Sequence, residues 1–413
     1  MWQRTRAAPA RLRALTRAVL ADPPFHGYRG TRRRLANLYL NRLEHHFRRP
    51  HLRSLPLKLI IEPFNACNLR CPGCFTGAGG RGRPTSMMPM ALYEALLREL
   101  GDVLFEVEAF NWGEPLLHPA IEDMVAAASA RGIGTKLNTN FSVPFDAARA
   151  ARLVRAGLTT LTVSIDGARQ ATYERYRVRG DLERVLHNCR LMVDAKARYG
   201  TMLPALNWEF HVFPHNVGDV DAVRAAAATL GMQLLLFKGA VPGGDWDVER
   251  RWQFCVDPQP LPCASLWAIA VVNNDGGVAP CNGTFYREDD MGRLALDAAS
   301  LARDGFRAVW NNAQFTTARR FYRRRAGDAA ARQHVCFDCP QTRLYEDWRR
   351  HLAGGGEHTS FVPAYTTSDG WNYFWNRRPP RSGGHATGGI VAPRPSRISV
   401  AGERGAHPAA ESR

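Results

Sequence analysis

The chain has 413 residues, 45% of them hydrophobic and 23% charged, the range of ordinary soluble globular proteins with room for a barrel and an appendage. Its formal charge of +17 is gathered at the ends: residues 1–60 carry 14 Lys or Arg against Asp22 and Glu44, residues 377–413 carry 7 Arg against Glu403 and Glu411, and the neutral span between lacks the footprint of a phosphate-tracking protein. No stretch approaches the roughly 18 apolar residues of a membrane span, and nine clustered cysteines are too few for a disulfide scaffold, so they point to metal in a reducing, cytoplasmic compartment.

Residues 1–56 read as a basic helical N-terminal extension. Its opening run, MWQRTRAAPARLRALTRAVL, is Arg-rich and free of acid. An exposed basic helix is preferred to an organellar transit peptide, and no apolar core of a secretory signal is present.

From residue 57 short β-rich runs alternate with amphipathic helices. The strands are LKLIIE (57–62), VLFEVEAF (103–110), TKLNTN (135–140), TLTVSID (160–166), ALNWEFHVF (205–213) and QLLLF (233–237). Helices are expected near 89–100, 119–131, 146–156, 181–198 and 221–231. Six βα units predict an α/β fold, a partial (β/α)6 TIM-like barrel over 57–242, in which chemistry gathers at the C-terminal strand ends.

A small α+β domain follows over 243–350. WAIAVVNNDGGVAPC reads as a hairpin turning at Asp275-Gly276, before a basic helical stretch near 298–325 and a Cys-Phe-Asp-Cys knuckle. A C-terminal segment (351–376) and a disordered basic tail (377–413), rich in Pro, Gly, Ser and Arg, complete the chain.

Cys67, Cys71 and Cys74 follow the first strand at spacing C-x3-C-x2-C. Three thiolates can hold three irons of a cubic cluster and leave the fourth iron open. The motif and its position resemble those of the radical SAM superfamily. That resemblance implies a [4Fe-4S] cluster that chelates S-adenosyl-L-methionine (SAM) and, given an electron, cleaves it to a 5′-deoxyadenosyl radical that abstracts hydrogen from a substrate. It also implies a low-potential donor such as ferredoxin or flavodoxin. Two departures stand out: Gly73 replaces the aromatic residue usual before the third cysteine, with Phe75 just after it, and Trp112 replaces the first glycine of a Gly-Gly-Glu motif.

By the same resemblance Gly113 and Glu114 meet the methionyl amino group, Ser164 and Asp166 lie near the ribose together with Asn140, and Arg177 meets the SAM carboxylate, with Arg179 as the alternative. A guanidinium fork suits a carboxylate. Cys189 falls on the apolar stripe of its helix and reads as core, Cys255 as a plain thiol, and neither His118 nor His211 has a partner pattern.

Cys263, Cys281, Cys336 and Cys339 form a closed set of four. They resemble the SPASM extension in its shortened "twitch" form, which implies one auxiliary [4Fe-4S] cluster; tetrahedral zinc would satisfy the same thiolates. A fully ligated cluster suits electron acceptance, so the leading expectation is oxidation of a small molecule such as a sugar, cyclitol or secondary-metabolite intermediate. Modification of a ribosomally made peptide is the alternative, although residues 1–56 are too short and Arg-rich to resemble a leader-binding domain. A non-catalytic metal protein contacting nucleic acid is a third reading. No catalytic base is identified: Asn282 stands where sulfatase-maturating relatives carry an aspartate.

Overall fold

The computed structural model describes residues 25–80, 82–213, 215–238, 263–296, 305–322, 335–336 and 354, all within one compact unit, Met1–Trp375. The opening run, Cys255, Cys339 and the tail lie outside the described residues.

The first described helix, α1 (Arg32–His46), is capped by Thr31, whose hydroxyl accepts from the Arg34 amide. Then β1 (Lys58–Ile61), β2 (Glu106–Glu108), β3 (Gly134–Thr139), β4 (Thr160–Ser164), β5 (Ala205–Val212) and β6 (Gln233–Lys238) alternate with helices. These helices are α2 (Met90–Leu100), α3 (Ile121–Ala130), α4 (Ala147–Arg155), the short α5 (Gln170–Tyr173), α6 (Leu182–Arg198) and α7 (Val220–Thr229). Asp146 and Asp181 begin α4 and α6 by accepting the amides of Arg149 and Arg184, as side-chain oxygens at N-caps do. β2 is shorter than VLFEVEAF suggests because Val103 and Leu104 donate to Leu100 O and prolong the helix end.

All six strands are parallel and adjacent in chain order, and the sheet does not close on itself. Its order is β6-β5-β4-β3-β2-β1-β7-β8-β9. The hairpin placed by sequence in a second domain is in fact a continuation of this sheet. After the short α8 (Ser265–Ala268), β7 (Ile269–Val272) pairs in parallel with β1, Lys58 opposite Ile269. It then turns through Gly276, at φ +81°, into antiparallel β8 (Gly277–Ala279) and β9 (Gly292–Arg293). The basic helical stretch is interrupted at Asn312, whose side chain accepts the Phe315 amide and starts α9 (Ala313–Phe321) afresh.

One face of the sheet is apolar: Leu59, Ile61, Val107, Leu137, Leu161 and Val163 share a core with residues of α2, α3, α4 and α6. At roughly 1.5–3 kcal/mol for each large side chain taken from water, this face holds the sheet against its helices. Among the alternate positions of the first three strands, Lys58, Glu106, Glu108 and Lys136 carry charge. Lys58 Nζ lies 2.6 Å from Glu108 Oε1, and Lys136 Nζ lies 3.1 Å from the same oxygen. Buried charges persist only when so paired.

α1 belongs to this packing and is not a free extension. Arg34 is 1% exposed. Its guanidinium donates to the carbonyls of Leu104, Gly101, Arg131, Gly132 and Arg29. The first four lie at or just beyond the C-terminal ends of α2 and α3, where carbonyls lack helical partners. Glu44 accepts from the amides of Arg53 and Ser54, and Asn41 donates to Trp267 O next to β7.

Candidate active site

The loop after β1 has little regular structure, and its three cysteines are placed by neighbours. Each sulfur faces donors. Cys67 Sγ receives the Leu69 amide at 3.4 Å and Asn140 Nδ2 at 3.6 Å. Arg177 Nη1 lies 4.0 Å from Cys71 Sγ, and the Thr76 and Gly77 amides point at Cys74. Gly77 is required there, since a Cβ would lie 2.5 Å from Cys71 O.

Burial, then the neighbouring Glu114 carboxylate, pushes the Cys67 thiol up to about 12, and burial pushes Cys71 and Cys74 up too. In so dry a place a proton stays on sulfur until a cation replaces it. Among the described residues no three His, Cys, Asp or Glu side chains converge on one metal ion. Three thiolates that each hold a different iron of a cube do not need to. The donor set, three sulfurs with N–H groups aimed at them, fits an iron–sulfur cluster.

The loop after β2 is stitched to this one. A Cβ on Gly113 would lie 1.8 Å from Phe64 O, so only glycine fits. The Glu114 amide donates to Ala66 O at 2.9 Å. The Glu114 carboxylate, 2% exposed, accepts from Thr139 Oγ1 at 2.6 Å, the Asn140 amide at 2.8 Å and the Leu116 amide at 3.0 Å. It therefore joins the β2 loop to the end of β3 and caps the turn at Pro115.

Glu62, which sequence reasoning treated only as the end of a strand, is 1% exposed and accepts the Trp112 amide at 2.6 Å and the Gly113 amide at 3.3 Å. Burial pushes its pKa up to about 8 despite those donors. A carboxylate directly after the apolar run Leu59, Ile60 and Ile61 was the available signal.

The ends of β3, β4 and β5 converge beside Cys71. Asn140 Nδ2 also donates to Asn68 Oδ1 at 3.0 Å. Ser164 Oγ lies 3.0 Å from both Asn138 Oδ1 and Glu209 Oε1. Asp166 is fully buried and accepts Arg177 Nε at 2.6 Å and the His211 amide at 2.6 Å, with His211 Nδ1 at 3.3 Å. Burial raises the Asp166 pKa, but Arg177 and then His211 outweigh it and hold the carboxyl at about 2.

Arg177 points at Asp166 and Cys71, whereas Arg179 is exposed at φ +71°. His211, with no partner pattern in sequence, belongs to this group. His118 is structural, its ring nitrogens meeting Met88 O and the Ala120 amide, and Cys189 is core at 1% exposure.

Of the second cysteine set, Cys263 precedes α8 and faces donors from Ser265 and Leu266. Cys281 follows β8, and its carbonyl accepts Thr284 Oγ1 at 3.0 Å. Cys336 is buried and shares the main core, against which Cys263 and Cys281 also pack.

The sequence profile described as the Radical SAM superfamily matches residues 61–209, which include Cys67, Cys71, Cys74, Glu114, Asp166 and Arg177. The chain belongs to the radical SAM superfamily. An iron–sulfur cluster-binding domain of the SPASM type matches residues 263–340 and takes in all four later cysteines. The protein is thus an enzyme with a SAM-binding [4Fe-4S] cluster and an auxiliary iron–sulfur site, as the cysteine spacing led one to expect.

Among curated proteins, this radical SAM enzyme is 28% identical over 252 residues to mycofactocin maturase MftC of Mycobacterium ulcerans (strain Agy99). That match covers 56% of this chain and 64% of the relative, less than two thirds of its length. It is 27% identical over 324 residues to PqqA peptide cyclase of Xanthomonas euvesicatoria pv. vesicatoria (strain 85-10), covering 71% of this chain and 82% of that one. The crystal structure of Streptococcus suis SuiB bound to precursor peptide SuiA shares the fold, with TM-score 0.51 and 13% identity over 76% of this chain and 78% of that chain. No helix among the described residues is long and apolar enough to cross a membrane.

Proposed function

We propose that this enzyme modifies a ribosomally made peptide by radical chemistry. The observation that carries the reading is its similarity to a maturase and a peptide cyclase within the radical SAM superfamily. This moves the expectation from a small molecule, which the lone auxiliary cluster had suggested, to the peptide alternative.

When bound, SAM and the reduced cluster supply a 5′-deoxyadenosyl radical, given an electron from a donor such as ferredoxin or flavodoxin. The chain's own residues prepare that chemistry. Cys67, Cys71 and Cys74 hold the cluster, and Cys263, Cys281, Cys336 and Cys339 hold the auxiliary one. Asp166 fixes Arg177 through Nε beside Cys71, and the remaining N–H groups of the guanidinium fork would meet the SAM carboxylate. The Gly113 loop and Asn140 offer carbonyl and amide groups to the methionyl moiety, and Ser164 a hydroxyl to the ribose. Glu114, already bonded three times, contributes by holding the loop.

The test is anaerobic turnover of the reconstituted full chain with SAM, dithionite and short peptides encoded beside its gene. A mass change in one peptide together with 5′-deoxyadenosine supports the reading. Turnover confined to sugars or cyclitols, with no peptide altered, would return the small-molecule reading.

A further inference from the structure

One of the two departures from the family's pattern, Trp112, meets in space the aromatic residue that lies beside the other. Phe75, the aromatic that follows Cys74, lies 5.5 Å from the ring of Trp112, the residue in the glycine position. Both rings meet Phe285 of the Cys281 segment: Phe75 stacks on it at 5.2 Å and Trp112 meets it edge to face at 5.3 Å. Trp112 Nε1 donates to Thr284 O at 3.0 Å, and Thr284 in turn donates to Cys281 O.

The remainder of the loop makes the same connection by other means. The Arg287 amide donates to Gly82 O at 2.9 Å, and a Cβ on Gly82 would lie 2.5 Å from the Phe285 ring. Next to it Arg83, its side chain 4% exposed, binds Asp275 Oδ1 at 3.0 Å and Asp290 Oδ1 at 3.1 Å. The cysteine loop after β1 has little regular structure of its own, so what fixes its thiolates must be what it packs against.

We propose that Phe75, Trp112 and Arg83 are positioning residues that fasten the Cys67–Cys74 loop to the segment carrying Cys281, so that retention of each cluster depends on the other site being folded. Stacked and edge-to-face rings are directional contacts, and a buried guanidinium between two carboxylates leaves uncompensated charge when removed. Together they make the two ligand loops one unit, whatever the substrate.

The test uses the full chain with every cysteine intact, reconstituted anaerobically. Iron loss to a chelator is followed with time, beside the electron paramagnetic resonance signal of the reduced SAM cluster with and without SAM. In Trp112→Ala and Arg83→Gln, iron leaves the first cluster about tenfold faster, the size of one aromatic pair or more, and the SAM-induced change in its signal weakens. Trp112→Phe and Arg83→Lys recover most of the difference. Conversely, Cys281→Ala loses more iron than the auxiliary cluster alone contains. Release within twofold of wild type in folded Trp112→Ala or Arg83→Gln overturns the proposal. So does a Cys281→Ala protein with a fully loaded first cluster.

Discussion

Arg177 divides its guanidinium between Asp166, whose Oδ2 accepts Nε at 2.6 Å, and Cys71, whose sulfur lies 4.0 Å from Nη1. The side chain is thereby held to one orientation between a buried carboxylate and a cluster ligand. Lysine would keep the charge and lose the fork. Arg177→Lys is expected to weaken SAM binding by about tenfold or more, the scale of one charge-assisted hydrogen bond, in anaerobic equilibrium binding to the cluster-loaded enzyme. Undiminished affinity would remove Arg177 from the SAM site.

Glu62 makes stability depend on pH. Its folded-state pKa of about 8 lies above the ordinary 4.5, so its stabilising contribution is complete below the ordinary carboxylate range. It is lost as pH rises toward 8, because the unfolded chain ionises first. Each unit of difference is worth about 1.4 kcal/mol. Urea unfolding of the cluster-free chain at pH 5 and pH 8 should show the loss in wild type and a flatter dependence in Glu62→Gln; equal slopes would mean that Glu62 is not its source.

Gly113 has no room for a methyl group, with Phe64 O at 1.8 Å and Ala66 O at 2.9 Å from a built Cβ. Both obstacles are backbone and cannot rotate away. Gly113→Ala is expected to cost about 3 kcal/mol, the upper range for overpacking, and to lower iron retention by Cys67, Cys71 and Cys74. Gly218→Ala, with nothing within 4 Å, serves as the control. Matching unfolding midpoints for the two variants would contradict the steric account.

Arg34 is the corresponding point far from the cysteines. Arg34→Met removes donors to five carbonyls, and losing buried partners of this kind should cost on the order of 3 kcal/mol or more. A urea midpoint unchanged from wild type would show that water replaces the guanidinium without penalty.

Much of this was legible from local pattern. The six strands fall where alternation placed them, and the caps at Asp146 and Asp181 follow from side chains adjacent to the helices they start. The cysteine spacing and the turn at Gly276 are likewise local. What escaped was non-local. His211 meets Asp166, 45 residues away, and Arg34 reaches Leu104 across 70; neither distance leaves a period in the sequence. The hairpin was recognised, but its attachment to β1 is a choice among sheet edges that hydrophobic pattern does not record. The burial of Glu114 and its three donors, from Thr139, Asn140 and Leu116, are likewise invisible in a carboxylate that stands beside a glycine.

The pairing of Lys58 with Ile269 also sets an order of events in synthesis. Roughly two hundred residues must leave the ribosome after β1 before its second neighbour exists, and contacts so distant in sequence form late. Until then β1 is an open edge, and the cysteine loop at its end lacks the wall that β7 and the segment after it provide. Iron delivered to the nascent chain would meet thiols with no finished cradle, so metal insertion belongs after translation has passed Cys281.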